Sequence, residues 1–448
     1  MADVVVIGAG AAGFMAGITA ARQGASVVVL EHMKEPGKKL MITGKGRCNF
    51  TNTCPINEFI PNLPGNGKFL FSALQQFTNE DLLYFFQERG LETVTERGGR
   101  VFPASGKAKD VIAVLAAALR QAGGRLVTGV QATGFVIKPG QVTGVRYHNV
   151  EYDGRREGQD FRSLTKGKAK LGPEHTLDAD AVVVCTGGAS YPGTGSDGNF
   201  VPVLTNLGLA IEPLLPALVP LEPEEGFTEE LEGLSLKNVE ASVLADGKPV
   251  AKEFGELQFI RGGIAGPICL TMSRKVARLE HFNQCELELS IDLKPALSED
   301  KLNARVMRDI QEFTKSSLAE VVRKLLPGPL VAPVLDTAFL DGKKPVSQVS
   351  KEERLALIQA VKHFTIPLIG TRPLSEAIVT AGGVALREID PGTMKAKRIG
   401  GLYFAGEVMD VDGYTGGFNL QAAFSSGYVA GLHAAKQVLN RRTLITER

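Results

Sequence analysis

The feature that most restricts this chain is a glycine turn close to its start. Val4 to Ile7 is a short run of aliphatic residues, suited to a parallel strand buried on both faces. Gly8-x-Gly10-x-x-Gly13 follows and opens a small-residue helix ending near Gly24, and Ser26 to Leu30 reads as a second strand finished by Glu31. Strand, turn, helix and strand make a βαβ unit. The first glycine permits the tight turn, the second lets backbone approach a pyrophosphate, and the third lets helix pack on strand. The free N–H groups of the helix start, with Ala11 and Ala12 in its first turn, favour an anion. Glu31, 18 residues beyond Gly13, stands where a carboxylate accepts bonds from an adenosine ribose and disfavours a 2′-phosphate. The pattern therefore points to dinucleotide binding and leaves FAD and NAD open. A glycine-rich helix start that serves packing alone is the plainer reading, and the flanking strand and acid argue against it.

Val4 to Ala21 has no charged residue and invites a membrane reading. Gly8, Gly10, Gly13 and Gly17 would each cost roughly 1 kcal/mol in a continuous helix, and a basic preceding region is missing. We expect no targeting peptide before this unit, no membrane partner and a cytoplasmic location. The length of 448 residues exceeds one ordinary core, so two or three domains are expected. The formal net charge of +1 and the short, Gly-punctuated basic stretch Lys166 to Lys170 give no nucleic-acid surface. Five cysteines form no disulfide framework and indicate a reducing compartment, and the scattered histidines give no metal site.

Further along, Asp110 to Ala122 reads as a helix stopped by Gly123-Gly124, and Arg125 to Val130 as a strand. Gln141 to Val150, with the polar stretch to Lys170, reads as a β-hairpin with a mobile tip. Ala181 to Cys185 is another buried strand, followed by Thr186-Gly187-Gly188. From about Gly198 to Leu293 the composition turns β-rich, with the alternation Glu286 to Ile291 as its clearest strand. Ser298 to Leu326 has helical spacing, Lys351 to His363 is a second helix, and a Pro/Gly-marked connection lies between. The α/β style resumes at Ala381: strand Gly401 to Ala405, a glycine-rich loop, then a helix from Asn419 to about Leu439.

Several long stretches match one family in order. They are VVIGAGAAGFMAG at Val5 to Gly17, GKKLMITGKGRCNFTN at Gly37 to Asn52, GRVFPASGKAKDV at Gly99 to Val111, TGGASYPGTGSDG at Thr186 to Gly198, PALVPL at Pro216 to Leu221, and GLYFAGEVMDVDGYTGGFNLQAAFSSG at Gly401 to Gly427. On these stretches the chain resembles the bacterial aminoacetone-oxidase-like or BaiN-like NAD(P)/FAD-dependent oxidoreductases. The resemblance implies FAD and an α/β fold: a Rossmann-like, glutathione-reductase-type FAD-binding domain, split by an inserted β-rich domain and a small helical subdomain. We place the FAD-binding domain at 1–198 and 381–448, the β-rich domain at 199–294 and 363–380, and the helical insertion at 295–362.

FAD is longer than one βαβ unit covers, so distant segments must return to it. Lys39 and the loop Gly44, Gly46, Arg47, Cys48 and Asn49 follow the ribose acid, as the pyrophosphate and ribityl side requires. Val130 is placed to bond adenine through its backbone, as in related flavoproteins, and Thr186, Gly187 and Gly188 to approach the cofactor. Gly406 and Glu407 follow the last strand, where a carboxylate accepts a ribityl hydroxyl. Gly417, Asn419, Leu420 and Gln421 then start a helix expected to face the flavin pyrimidine, whose reduced form carries negative charge.

Cys48 and Cys54 imitate a redox pair, but their C-x5-C spacing is one residue too long, and Cys48 as a small buried residue is the better reading. Gly262-Gly263-x-x-Gly266-Pro267 is no second nucleotide turn. Arg261 facing the flavin would favour an anionic substrate, whereas a structural ion pair is equally open. Asp410 and Asp412 suit loop bonding better than acid–base chemistry, and no role separates Tyr191 from Tyr414. We expect hydride exchange between a small organic substrate and flavin, reoxidised by O2 or another acceptor, in a pocket between the FAD domain and the insert. NAD(P)H-driven reduction of a carbonyl-conjugated double bond, a non-catalytic flavin-binding protein and an NAD-only dehydrogenase are the alternatives.

Overall fold

The computed structural model describes residues 2–64, 66–151, 170–227, 229–279 and 285–446. The chain divides into two compact units, Met1–Leu215 with Ile378–Arg448, and Pro216–Ala377. Residues 199–215, where composition turns β-rich, belong to the first.

In the first unit the expected βαβ is present: β1 (Ala2–Ile7), α1 (Ala11–Arg22) and β2 (Val27–Glu31). All eleven strand residues are buried, as the uninterrupted apolar runs require. Helix α2 (Ala108–Gln121) is amphipathic and leads to β3 (Arg125–Thr128). The strand expected to run to Val130 ends earlier. Gly129 is left-handed (φ +70°), so the chain turns and Val130 opens a new strand, β4 (Val130–Lys138). β5 (Gln141–Glu151) forms the expected antiparallel hairpin with the first half of β6 (Lys170–Val184) and pairs antiparallel with β4 on its other edge, so it is the middle of three strands. The expected hairpin tip lies outside the described residues.

The second half of β6 pairs parallel with β1, registering Val4 on Ala181 and Ile7 on Val184. It also pairs with β7 (Leu402–Phe404), which gives the parallel order β3-β2-β1-β6-β7. Helix α3 (Phe418–Thr446) then crosses α1 at backbone contact. A Cβ on Gly427 would lie 2.3 Å from the carbonyl oxygen of Ala12, and one on Gly431 would lie 2.2 Å from that of Ala16. Only glycines one turn apart permit this approach. Phe424 extends the contact to the segment before α2, stacking edge-on with Phe86, which meets Phe50 at 4.9 Å. Among the described residues no helix is long and apolar enough to cross a membrane.

The second unit is a closed six-stranded barrel with helices on one shared core. In Leu287–Asp292 the residues Leu287, Leu289 and Ile291 are buried and alternate with half-buried polar ones, as the sequence pattern indicates. The stretch expected as one helix from Ser298 to Leu326 is two, Glu299–Glu312 and Leu318–Leu325. Ser317 starts the second with a reciprocal capping box to Glu320, so the break is written locally. The connection beyond it contains a third helix, Gly328–Thr337, despite Pro333. Pro267 likewise begins a helix, Pro267–Val276, within the β-rich part. Arg261 is exposed at the turn between Lys248–Ile260 and Gly263–Ala265.

Gly431→Ala should lower the unfolding free energy of the first unit by about 1–3 kcal/mol, since the new methyl meets a carbonyl that cannot rotate away. Urea unfolding checks it: the midpoint should fall with an unchanged slope.

Candidate functional site

The glycine turn is held on both sides by strand ends. Gly8 N–H donates to the Leu30 carbonyl at 2.7 Å, and Cys185 N–H donates to the Ile7 carbonyl at 2.8 Å. The three glycines do different things. Gly8 is left-handed (φ +98°), and its missing Cβ would strike the Cys185 carbonyl at 2.4 Å. At Gly13 a Cβ would lie 1.8 Å from the Gly8 carbonyl. A Cβ at Gly10 would meet nothing within 4 Å, so the turn itself does not need this glycine. Buried Glu31 accepts from Ala9 N–H through Oε2 (2.7 Å) and from Met33 N–H through Oε1 (2.8 Å). The acid thus fixes the turn against the end of β2. Ala11 and Ala12 are buried in the first turn of α1.

The loop after α1 and β2 is unusual in backbone. Gly44, Lys45, Gly46 and Cys48 are all left-handed. A side-chain-bearing residue there costs roughly 1 kcal/mol or more. A Cβ on Gly44 would sit 3.0 Å from the Asn49 nitrogen, and Asn49 Oδ1 is buried without a hydrogen-bond partner. A buried acceptor left unmatched calls for an explanation. Arg47 departs from expectation: its guanidinium pairs with Glu96 at 2.7 Å and lies 4.2 Å above the Phe102 ring. Cys48 is fully buried, and burial pushes its thiol up to about 12, so it stays protonated at neutral pH. Cys54 is a free thiol, half-buried.

Segments remote in sequence close on these two loops. A Cβ on Gly406 would lie 2.8 Å from the Ala12 methyl, and one on left-handed Gly417 would lie 2.3 Å from the Thr51 carbonyl. Asn419 folds back on the preceding loop, accepting from Gly413 N–H at 2.7 Å and donating to the carbonyls of Gly413 and Tyr414. Gln421 does not behave as predicted for a cofactor ligand. Its side chain is fully buried and bonded to Thr51 Oγ1 (2.6 Å), Ser425 Oγ (3.0 Å) and the Phe77 carbonyl (3.4 Å). Leu420 is half-buried against the core. Val130 faces Asn149 across the β4–β5 pair. Asp410 accepts from Gly382 N–H and from Asn66, a loop-fixing arrangement.

The densest polar cluster surrounds Lys39. Its ammonium donates to both oxygens of Glu407 (3.0 and 2.7 Å), to Ser190 Oγ (2.7 Å) and to Ser196 Oγ (3.3 Å). Thr380 Oγ1 accepts from Ala189 and Ser190 N–H, and Thr380 N–H donates to Glu407 Oε1. Gly188 is a glycine because a Cβ would lie 2.3 Å from that Thr380 oxygen, and Gly187 leaves space 3.0 Å from Ser196 Oγ. Thr186 is half-buried at the loop start. Sequence reasoning found Lys39 and Glu407 but missed Ser190, Ser196 and Thr380. The serines lie inside a quoted motif, whereas nothing local marks Thr380.

The model of the HI0933-like protein Rossmann domain matches residues 2–433. The chain belongs to this HI0933-like family. Among curated relatives it is 29% identical to the 3-dehydro-bile acid delta(4,6)-reductase of Clostridium scindens, covering 98% of this chain and 100% of the relative. It is also 29% identical to the ribosomal RNA dihydrouridine synthase of Escherichia coli, over 97% of this chain and 98% of the relative. A 3-ketosteroid-delta4-(5alpha)-dehydrogenase from Rhodococcus jostii has a similar fold, with a TM-score of 0.51 and 16% identity over 97% of each chain. An open flavocytochrome c3 fumarate reductase gives a TM-score of 0.51 at 17% identity over 98% of this chain and 78% of that one. This HI0933-like protein is an FAD-dependent oxidoreductase with a Rossmann FAD-binding domain interrupted by a β-rich insert.

Two substitutions separate packing from binding. Gly10→Ala should leave the thermal midpoint of the apo-protein unchanged and weaken FAD by about tenfold or more, because its Cβ enters only open space. Gly13→Ala should destabilise the apo-protein itself. Calorimetry and FAD titration of both variants check this. Cys48 should resist iodoacetamide at pH 8 while Cys54 reacts, as mass spectrometry of the native protein would reveal.

Proposed function

We propose that this HI0933-like protein saturates a carbon–carbon double bond conjugated to a carbonyl in a small, largely apolar molecule, using electrons from NAD(P)H. The observation that carries the reading is the agreement of two relatives matched over nearly their full length. A 3-dehydro-bile acid delta(4,6)-reductase and a uridine-to-dihydrouridine enzyme act on different molecules, yet both names denote reduction of a double bond in conjugation with a carbonyl. In such a bond the β-carbon accepts hydride because the carbonyl takes up the developing charge.

The residues fit FAD in their donor set. The Gly8-to-Gly13 turn and the first turn of α1 suit the pyrophosphate, with Gly10 facing open space. Glu31 has lone pairs left for a ribose, and Val130 lies at the strand start where backbone meets adenine. The unmatched Asn49 Oδ1 and the left-handed Gly44–Gly46 backbone suit close approach by a hydroxyl-rich chain. Gly406 and Glu407 serve the ribityl side, and the N–H groups of Phe418, Asn419 and Leu420 suit the pyrimidine. FAD supplies the two-electron carrier. Arg47 and Gln421 have structural partners and act on these loops rather than as ligands.

Charge favours a small molecule over RNA. Residues 216–377 carry 24 Asp and Glu against 20 Lys and Arg, the wrong sign for a phosphate backbone. The thiol of Cys48 is protonated, which argues against a dithiol relay.

Anaerobic stopped flow tests the reading. NADPH or NADH should bleach the flavin, and a 4-en-3-one should restore its colour far faster than a non-conjugated alkene or a uridine-containing rRNA fragment. Rapid recovery with O2 together with no recovery on the 4-en-3-one would contradict the proposal and indicate an oxidase. Recovery with the RNA, abolished by moderate salt, would move the substrate to RNA.

A further inference from the structure

We infer that Lys39 is a positioning residue for the cofactor site: it touches no part of the cofactor and instead holds the Glu407 carboxylate and the Gly187–Gly198 loop in place for it. An ammonium has three hydrogens. Here they are shared among four acceptors of the protein itself, both Glu407 oxygens and the hydroxyls of Ser190 and Ser196. No donor is left to reach a phosphate or a hydroxyl of a ligand. The cation's consequence therefore lies in what it holds.

Glu407 is held unevenly. Oε1 accepts from Lys39, from Thr380 N–H at 2.7 Å and from Ser190 Oγ at 3.3 Å, so it is filled. Oε2 accepts from Lys39 alone among the described residues, and the side chain keeps 20% of its exposure. One oxygen is thus locked and the other keeps acceptor capacity. Removing the ammonium would release the carboxylate from the geometry that presents Oε2. It would also remove the bond to Ser196 Oγ and one of the bonds to Ser190 Oγ, which hold the two sides of the loop carrying Tyr191 in left-handed backbone (φ +55°). The left-handed Gly195 of the same loop lies against His32 and Met33, next to Glu31. A single cation accordingly registers the loop and the Glu407 segment against the short helix Lys38–Ile42 that follows the βαβ unit.

The inference rests on the placement of FAD beside Glu407 proposed above and is independent of the substrate. Its test is FAD and ADP titration of apo-protein in wild type, Lys39→Met, Lys39→Arg, Glu407→Gln and the double variant Lys39→Met/Glu407→Gln. Lys39→Met should weaken FAD about 10–100-fold, the scale of one lost charge-assisted bond. Glu407→Gln should weaken FAD similarly, the double variant should be no worse than either single, and Lys39→Arg should recover most of the loss. ADP, which lacks the ribityl chain and ring, should bind all five alike. Unchanged FAD affinity in Lys39→Met beside a weakened Glu407→Gln overturns the inference for Lys39. Unchanged affinity in Glu407→Gln overturns the placement of FAD itself. Additive losses in the double variant, or ADP weakened as much as FAD, would show an independent contact or general damage, and either result rejects positioning.

Discussion

Everything in the first unit depends on how closely α3 approaches α1. Two glycines one turn apart, Gly427 and Gly431, bring one helix backbone against the carbonyls of Ala12 and Ala16. That contact places β7 beside β6 and brings Gly406 against Ala12. The Gly406 segment consequently packs on the helix start that follows the glycine turn. Larger residues at either position would hold the helices at the usual 8–10 Å and open the site along its middle.

On this base the polar groups divide into two kinds. Glu31, Asn419, Gln421 and Asp410 bond backbone and side chains of the protein itself and fix the loops from which a long ligand can be held. Asn49 Oδ1 and Glu407 Oε2 keep acceptor capacity. A site for a cofactor of FAD's length needs both kinds: rigid loops that cost little to order on binding, and a few acceptors that remain unfilled. The barrel unit has its own core, so its loops can vary without disturbing this scaffold. Relatives of one family named for a bile acid and for ribosomal RNA are consistent with that division.

What the sequence revealed was whatever repeats or is punctuated locally. The glycine turn, the acid at the end of β2, and the alternation of Leu287, Leu289 and Ile291 follow from periods of a few residues, and the structure bears them out. Local signals misled where one residue has two uses. Gly129 ended a strand that hydropathy would continue, and Pro333 did not prevent a helix whose apolar face is buried. Long-range pairings were illegible: Lys39 meets Glu407 across 368 positions, and Thr380 bonds Ser190 across 190. Which face of α3 Gln421 occupies was equally illegible, because its bonds go to Thr51 and Phe77, far upstream.

The most direct test of the account is hydrogen exchange of apo-protein with and without one equivalent of FAD. Amides in 8–13, 44–49 and 406–420 should gain protection together, saturating at one FAD per chain. Protection confined to 8–13, with the C-terminal segment unchanged, would contradict it.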